Sequence, residues 1–297
     1  MKARAAHALV VLGALCAITV QAGAQEKEKE LERTGGPFVP TPQIVVDHML
    51  RMANVGAKDF VVDLGSGDGV IVLTAASQLK AAGYGVDIDP ALVKFANGEA
   101  KRLGIADRAA FHMQDVFKAD LSRASVITLY LLPSMMASLR PKIFLEAKPG
   151  TRVVSHDYTF DEWHPDDQLV LDVPEKEKVN GVPRATISLW IVPARVQGKW
   201  QVQVEGGEQY EIAFRQKYQV INGSAEAAGK PARLTFSSIR GEDIRFTVIE
   251  GATRRNFRGT AGADTMQGSV ELGGGRAAKW TANRAPSAPS GPAGAGR

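Results

Sequence analysis

The sequence predicts two folded parts: an α/β domain with a mostly parallel sheet over residues 36–193, then a small antiparallel all-β domain, a barrel or a sandwich, over 195–284. Three observations carry this. Apolar runs alternate with helical periodicities between Gly36 and Pro193, the texture of strand–helix–strand units. Inside that stretch a buried strand runs into a glycine-rich loop and an apolar helix. Beyond it, eight short runs with strand patterning are separated by turn signals.

A chain of 297 residues can hold two ordinary domains, and its apolar (44%) and charged (23%) fractions place it among globular proteins. The first 24 residues read as a secretory signal: Lys2 and Arg4 form a positive start, an apolar stretch covers residues 8–20, and Ala22-Gly23-Ala24 offers small residues for cleavage. The apolar stretch is short for a membrane span, which needs about 20 residues. Export, to a periplasm or similar space, is therefore expected, with an uncleaved membrane anchor as the alternative. Cys16 lies in this segment, so the processed chain has no thiol for disulfides, catalysis or metal. Residues 25–35 form a charged leader, and 285–297 a Pro/Gly/Ala/Ser tail of disordered composition. Residues 26–193 carry a net charge of −4 and 194–297 a net charge of +6, which suggests two parts with different tasks. Neither value argues for general nucleic-acid affinity.

In chain order, Thr41 is the expected N-cap of the first helix, with Pro42 at its first position. Phe60-Val61-Val62 is a buried strand that leads into Asp63-Leu64-Gly65-Ser66-Gly67-Asp68-Gly69, followed by an apolar helix over 70–79. The next strand, 84–88, contains Asp87, 22 residues past Gly65, where this type of fold places a carboxylate for a ribose diol. Asp89-Pro90 caps a helix whose expected stripe is Leu92, Ala96, Ala100 and Leu103. The loop reads G-x-G-x-G, with Val70 where a dinucleotide loop has its third glycine, and no Lys or Arg lies between Lys58 and Lys80. A pyrophosphate would meet carboxylates there, whereas a cationic ligand would be favoured. That disfavours a dehydrogenase.

The segment 61–69 resembles motif I of class I S-adenosylmethionine (AdoMet)-dependent methyltransferases. Gly85-Val86-Asp87-Ile88-Asp89-Pro90 and Phe111-His112-Met113-Gln114-Asp115-Val116-Phe117 are similar to the two motifs that follow it, in order and spacing. The resemblance implies a Rossmann-like methyltransferase fold, with Gly65 and Gly67 beside AdoMet, Asp87 on its ribose, Asp115 at the adenine and Asp63 near the methionyl end. Phe38-Val39-Pro40-Thr41-Pro42, Thr128 to Pro133 and Ser155-His156 further resemble the small protein-lysine methyltransferases related to the mitochondrial enzymes acting on ATP synthase and the adenine nucleotide carrier. That likeness adds Thr41 to the cofactor-side residues, implies a protein lysine as acceptor and covers about residues 36–193. The β extension and the export signal depart from it.

Methyl transfer from a sulfonium is an in-line displacement that chiefly requires alignment. Tyr130, after the fourth strand, is a candidate acceptor contact, the alternative being wall packing. His156 and Asp157, after the fifth, could orient or deprotonate an acceptor, or simply cap the strand. Trp163 is read as a cover for the site or a surface anchor, and His48 as structural. The five histidines lack ligand-like spacing, so no metal site is expected. Against the enzyme stands a second hypothesis, an exported non-catalytic binding protein that keeps the fold while its β domain recognises an envelope component.

Overall fold

A computed structural model describes residues 38–286. The signal segment, the charged leader and nearly all of the tail lie outside the described residues. Helix α1 (Gln43–Met52) precedes strand β1 (Phe60–Leu64), α2 (Val70–Gln78), β2 (Ala82–Asp87), α3 (Pro90–Arg102), β3 (Ala109–Met113), β4 (Val126–Leu129), α4 (Pro133–Glu146) and β5 (Arg152–His156). An edge strand β6 (Asp167–Asp172), a short helix α5 (Glu177–Asn180) and β7 (Arg184–Ile191) complete the first part.

These seven strands form one sheet in the order β3-β2-β1-β4-β5-β7-β6. The pairs among β1 to β5 are parallel, while β7 is antiparallel to both β5 and β6. The strand order reverses between β1 and β4, so a crevice opens at their carboxyl ends, where doubly wound sheets take their ligands. One face of the sheet packs on α1, α2 and α3 through Val46, Met49, Val72, Ala96 and Ile187. The other packs on α4 through Met136, Leu139, Trp163 and Trp190. Asp89 caps α3 as expected, accepting from the Ala91 N–H at 2.8 Å. The buried stripe of that helix is Val93, Ala96 and Ala100, however, and Leu103 is exposed. Ala96 and Ala100 lie at helical spacing from Val93, so the stripe turns one position away from Leu92.

The eight β runs become β8 (Gly198–Val204), β9 (Gln209–Lys217), β10 (Val220–Ala227), β11 (Lys230–Arg240), β12 (Asp243–Glu250), β13 (Thr253–Ala261), β14 (Thr265–Gly273) and β15 (Arg276–Arg284). Each pairs antiparallel with the next and β15 returns to β8, which closes a barrel and leaves no open edge. Alternating inward residues fill it: Trp200, Ile212, Phe246, Phe257 and Trp280 are all buried.

Barrel and sheet are not strung on a free linker. Tyr218 stacks on Trp163 at 6.1 Å and tilts against Phe144 at 5.1 Å. Arg195 donates to the Phe144 and Leu145 carbonyls at the end of α4 (2.7 and 2.9 Å), and the Ala194 N–H donates to the Gly241 carbonyl at 2.7 Å. Trp163 is thus neither a cover nor a surface anchor. It is fully buried among Phe144, Phe160 and Trp190, because the arriving barrel closes the sheet face that would otherwise expose it. Among the described residues no helix is long and apolar enough to cross a membrane.

Candidate active site

The glycine loop follows β1 at the strand-order reversal. Gly65, Gly67 and Gly69 have φ of 80°, 53° and 82°, the left-handed region that glycine enters without steric cost. Space excludes larger residues as well: a Cβ on Gly65 would lie 2.7 Å from Leu131 Cδ2, and one on Gly67 would strike the Phe38 ring. The loop is tied to β2 through Asp87. One of its carboxylate oxygens accepts from the Gly67 N–H at 2.8 Å and the other from the Asp89 N–H at 2.9 Å. Asp115, past β3, accepts from the Phe117 N–H at 2.9 Å and so caps the short 3₁₀ turn over Val116–Lys118.

Asp63 lies buried at the end of β1, where Thr128 Oγ1 donates to it at 2.7 Å. Burial pushes its carboxyl up to about 7, against the Thr128 bond, and repulsion from Asp87 and Asp68 adds to the rise. Burial likewise raises Asp68. No lysine or arginine lies in the loop sequence to offset these acids. The donor set thus fits AdoMet, which has no phosphate and brings a sulfonium and an ammonium to neutralise the cluster. Gly65 and Gly67 offer backbone where side chains would intrude, and Asp87 and Asp115 provide carboxylates at the carboxyl ends of β2 and β3. Asp63, Gly65, Gly67, Asp87 and Asp115 are therefore gathered at one end of the sheet, as their order along the chain implied.

Thr41 does not cap the first helix. Helix α1 begins at Gln43, Pro42 stands in the N-cap position, and no side chain caps the helix. Proline lacks an N–H and extends here at ψ 143°, so the first turn starts one residue later than expected. Freed from capping, the Thr41 hydroxyl lies 3.4 Å from His156 Nδ1. The segment 38–42 therefore crosses the carboxyl edge of the sheet, with Phe38 against the glycine loop and Thr41 against β5.

Beneath it lies a cleft of about 280 Å³ lined by Val39, Pro40, Thr41, Pro42, Tyr130, Glu175 and Lys176. Tyr130, just past β4, packs tilted against the His156 ring with centroids 4.0 Å apart, and its hydroxyl is 3.5 Å from Asp157 Oδ2. His156 is fully buried, and that burial drops its pKa to about 4, so the ring is neutral at pH 7. The Lys176 ammonium donates to His156 Nε2 (3.2 Å), to Asp157 and to the Arg184 carbonyl (2.7 Å). With Nε2 accepting, the ring proton sits on Nδ1 and points to Thr41. Asp157 also accepts from the Thr186 N–H at 3.0 Å, while its own backbone is held at φ 62°. A left-handed aspartate at a strand end, locked from two sides, is the kind of strain that persists where geometry matters.

Tyr130, His156 and Asp157 are thus brought together at the cleft, and Thr41 joins them. Lys176 and Glu175 were not foreseen. They sit in Pro174-Glu175-Lys176-Glu177-Lys178, which reads as a solvated charged run, and nothing local distinguishes the one lysine that becomes buried.

The model of the ANTKMT methyltransferase domain matches residues 63–167. A protein-lysine N-methyltransferase of Saccharolobus islandicus is 39% identical over 137 residues, 46% of this chain and 85% of that protein. The mouse adenine nucleotide translocase lysine N-methyltransferase is 33% identical over 129 residues, 43% of this chain, and the match spans only about half (56%) of its own length. A crystal structure of an RNA methyltransferase from Salinibacter ruber with S-adenosyl-L-homocysteine is 46% identical, covering 53% of this chain and 96% of that one at a TM-score of 0.49.

Proposed function

Because the chain belongs to the family of class I AdoMet-dependent methyltransferases that includes the archaeal protein-lysine enzyme, we propose that its methyl acceptor is a lysine amine on a protein. The observation that carries the proposal is the cleft under the 38–42 segment, with Val39, Pro40, Pro42 and Tyr130 as walls, Glu175 in its lining, and the Lys176 charge there taken up by Asp157. That lining suits a long apolar stem ending in a cation. A net charge of −4 over residues 26–193 disfavours an RNA backbone on this part of the molecule. The alternative of a non-catalytic exported binding protein finds no support among the relatives.

AdoMet, when bound, supplies an electrophilic methyl group, so the chain's own task is to deliver a neutral amine in line with it. Glu175 attracts the incoming ammonium. Val39, Pro40 and Pro42 strip its water, and such burial favours the neutral amine, whose ordinary pKa is about 10.4 and whose proton passes to bulk water before the amine is enclosed. Tyr130, fixed by the His156 ring and directed at Asp157, offers its hydroxyl oxygen to an amine N–H and thereby orients the nitrogen lone pair. Lys176 fixes Asp157 and His156, and through them Tyr130. Asp63, Gly65, Gly67, Asp87 and Asp115 hold the cofactor.

The test is to incubate the protein with AdoMet carrying a labelled methyl group and an extract of its host, then map the label by digestion and mass spectrometry. Methyl groups on lysine side chains are expected, with turnover rising from neutral to alkaline pH. Label confined to RNA, lipid or small molecules would overturn the acceptor while leaving the methyltransferase activity in place.

A further inference from the structure

The barrel core is filled by Trp200, Tyr210, Phe214, Phe246, Phe257 and Trp280, so whatever the barrel offers a partner lies on its outer wall. One part of that wall is unusual. The pairing of β11 with β12 slips between Thr235 and Ser238, and the bulge holds Phe236 at φ 48°, a conformation that bulky residues rarely adopt. Its side chain is 74% exposed, and among the described residues it is the one exposed aromatic of the barrel. Thr235 Oγ1, beside it, is buried without a hydrogen-bond partner. Strain and an unsatisfied hydroxyl at one bulge, both spent to display a phenylalanine, point to a use for that side chain.

Arginines surround it. In register, Arg233, Ile249 and Arg254 form one outward row across β11, β12 and β13, and Ser238, Arg245 and Arg258 form another. Arg233, Arg245, Arg254 and Arg258 are all exposed. The rows lie four residues apart along β13, about 13 Å, and each spans two strand spacings, about 10 Å. The Arg254 guanidinium stands 5.2 Å from the centre of the Phe236 ring. Among the described residues only Arg258 of the four reaches a carboxylate, Glu271 at 3.7 Å. Arg245 and Arg258 are directly opposed, a like-charge pair that destabilises a sheet and that Glu271 offsets only on the Arg258 side.

We propose that this face of β11–β13 docks on an anionic lipid bilayer, the four arginines on headgroup phosphates and Phe236 inserted at the interface. A single protruding aromatic on a convex wall suits a bilayer better than single-stranded nucleic acid, which is held in a groove by several stacked aromatics. The docking is independent of the acceptor residue proposed above.

The experiment is cosedimentation of the full chain with vesicles of 30% phosphatidylglycerol in phosphatidylcholine, against phosphatidylcholine alone, at low and high salt. The amino-terminal apolar run is present in every variant, so the comparison between variants isolates the barrel face. Binding should be specific to anionic vesicles and lost at high salt. Each arginine is worth about fivefold, so Arg245→Gln/Arg258→Gln should weaken binding about 25-fold. Phe236→Ser should weaken it severalfold; AdoMet binding should be unchanged in both variants, and an unchanged near-ultraviolet circular dichroism signal from the buried Trp200 and Trp280 reports that the barrel folds. Equal binding by wild type and variants, no binding to anionic vesicles, or tighter patch-dependent binding to polyuridylate would overturn the proposal.

Discussion

Asp63 should make AdoMet binding proton-linked, given its place at the end of β1 beside the glycine loop. In the free protein its carboxyl is buried, bonded to Thr128 and pushed up to about 7, so about nine-tenths of molecules carry that proton at pH 6 and about half at pH 7. A bound sulfonium and ammonium favour the carboxylate and return its pKa toward the ordinary 3.8. Binding should then release about 0.9 proton at pH 6 and almost none at pH 8, and affinity should fall about fivefold from pH 7 to pH 6 and a further tenfold to pH 5. The assay is isothermal titration at pH 6 in buffers of low and high ionisation enthalpy, since the slope of observed heat against ionisation enthalpy counts the protons. Asp63→Asn, which keeps the shape, should abolish the slope and flatten affinity between pH 6 and 8. A buffer-independent heat in the wild type, or the same slope in Asp63→Asn, would refute the reasoning. The stability of the free protein has a matching sign. A raised carboxyl stabilises most below its unfolded value and loses that stabilisation, about 4 kcal/mol, as pH rises from 3.8 toward 7.

His156 acts in the opposite direction: its depressed pKa stabilises fully above 6.5 and is lost as pH falls through about 4, so Asp63→Asn should leave a protein that gains stability as pH rises from 4 to 6.5, read by thermal melts across that range. Asp87→Ala should weaken AdoMet binding at least tenfold by calorimetry, since it removes a charge-assisted acceptor and also releases the Gly67 N–H that steadies the loop. Lys176→Met, which unpairs Asp157 and His156, should lower kcat about tenfold or more while AdoMet affinity stays within twofold, and Tyr130→Ala should show the same split; an equal loss in both constants would mean a merely structural role. Tyr218→Ala should cost about 1–3 kcal/mol of stability in denaturant titration, because its ring closes the Phe144–Trp163 face from the barrel side.

Much of the cofactor end was legible in the chain because short-range constraints write it. A G-x-G-x-G loop must follow a strand and precede a helix, its positive φ values demand glycine, and the carboxylates at 87 and 115 fall at the ends of the next two strands by simple succession. The barrel strands were legible for a similar reason. Alternation with period two and glycine-rich turns are local signals, and all eight runs appear as strands. The choice between barrel and sandwich was not legible, since closure of β15 onto β8 depends on the accumulated twist and stagger of the whole sheet.

The acceptor end was decided by tertiary structure. Thr41 meets His156 across 115 positions, and the lysine that joins them comes from a run of charges that looks like any solvated surface. Whether a charged side chain is buried depends on which elements close over it and whether partners wait there, and neither is encoded in its neighbours along the chain. Trp163 makes the same point for an apolar residue: its sequence context left it a choice between cover and anchor, and only the barrel's arrival on that face made it core. The sequence by itself thus determined the sheet, the cofactor loop and the strand content of the barrel. Packing between distant segments decided which side chains gather at the cleft beside β4 and β5.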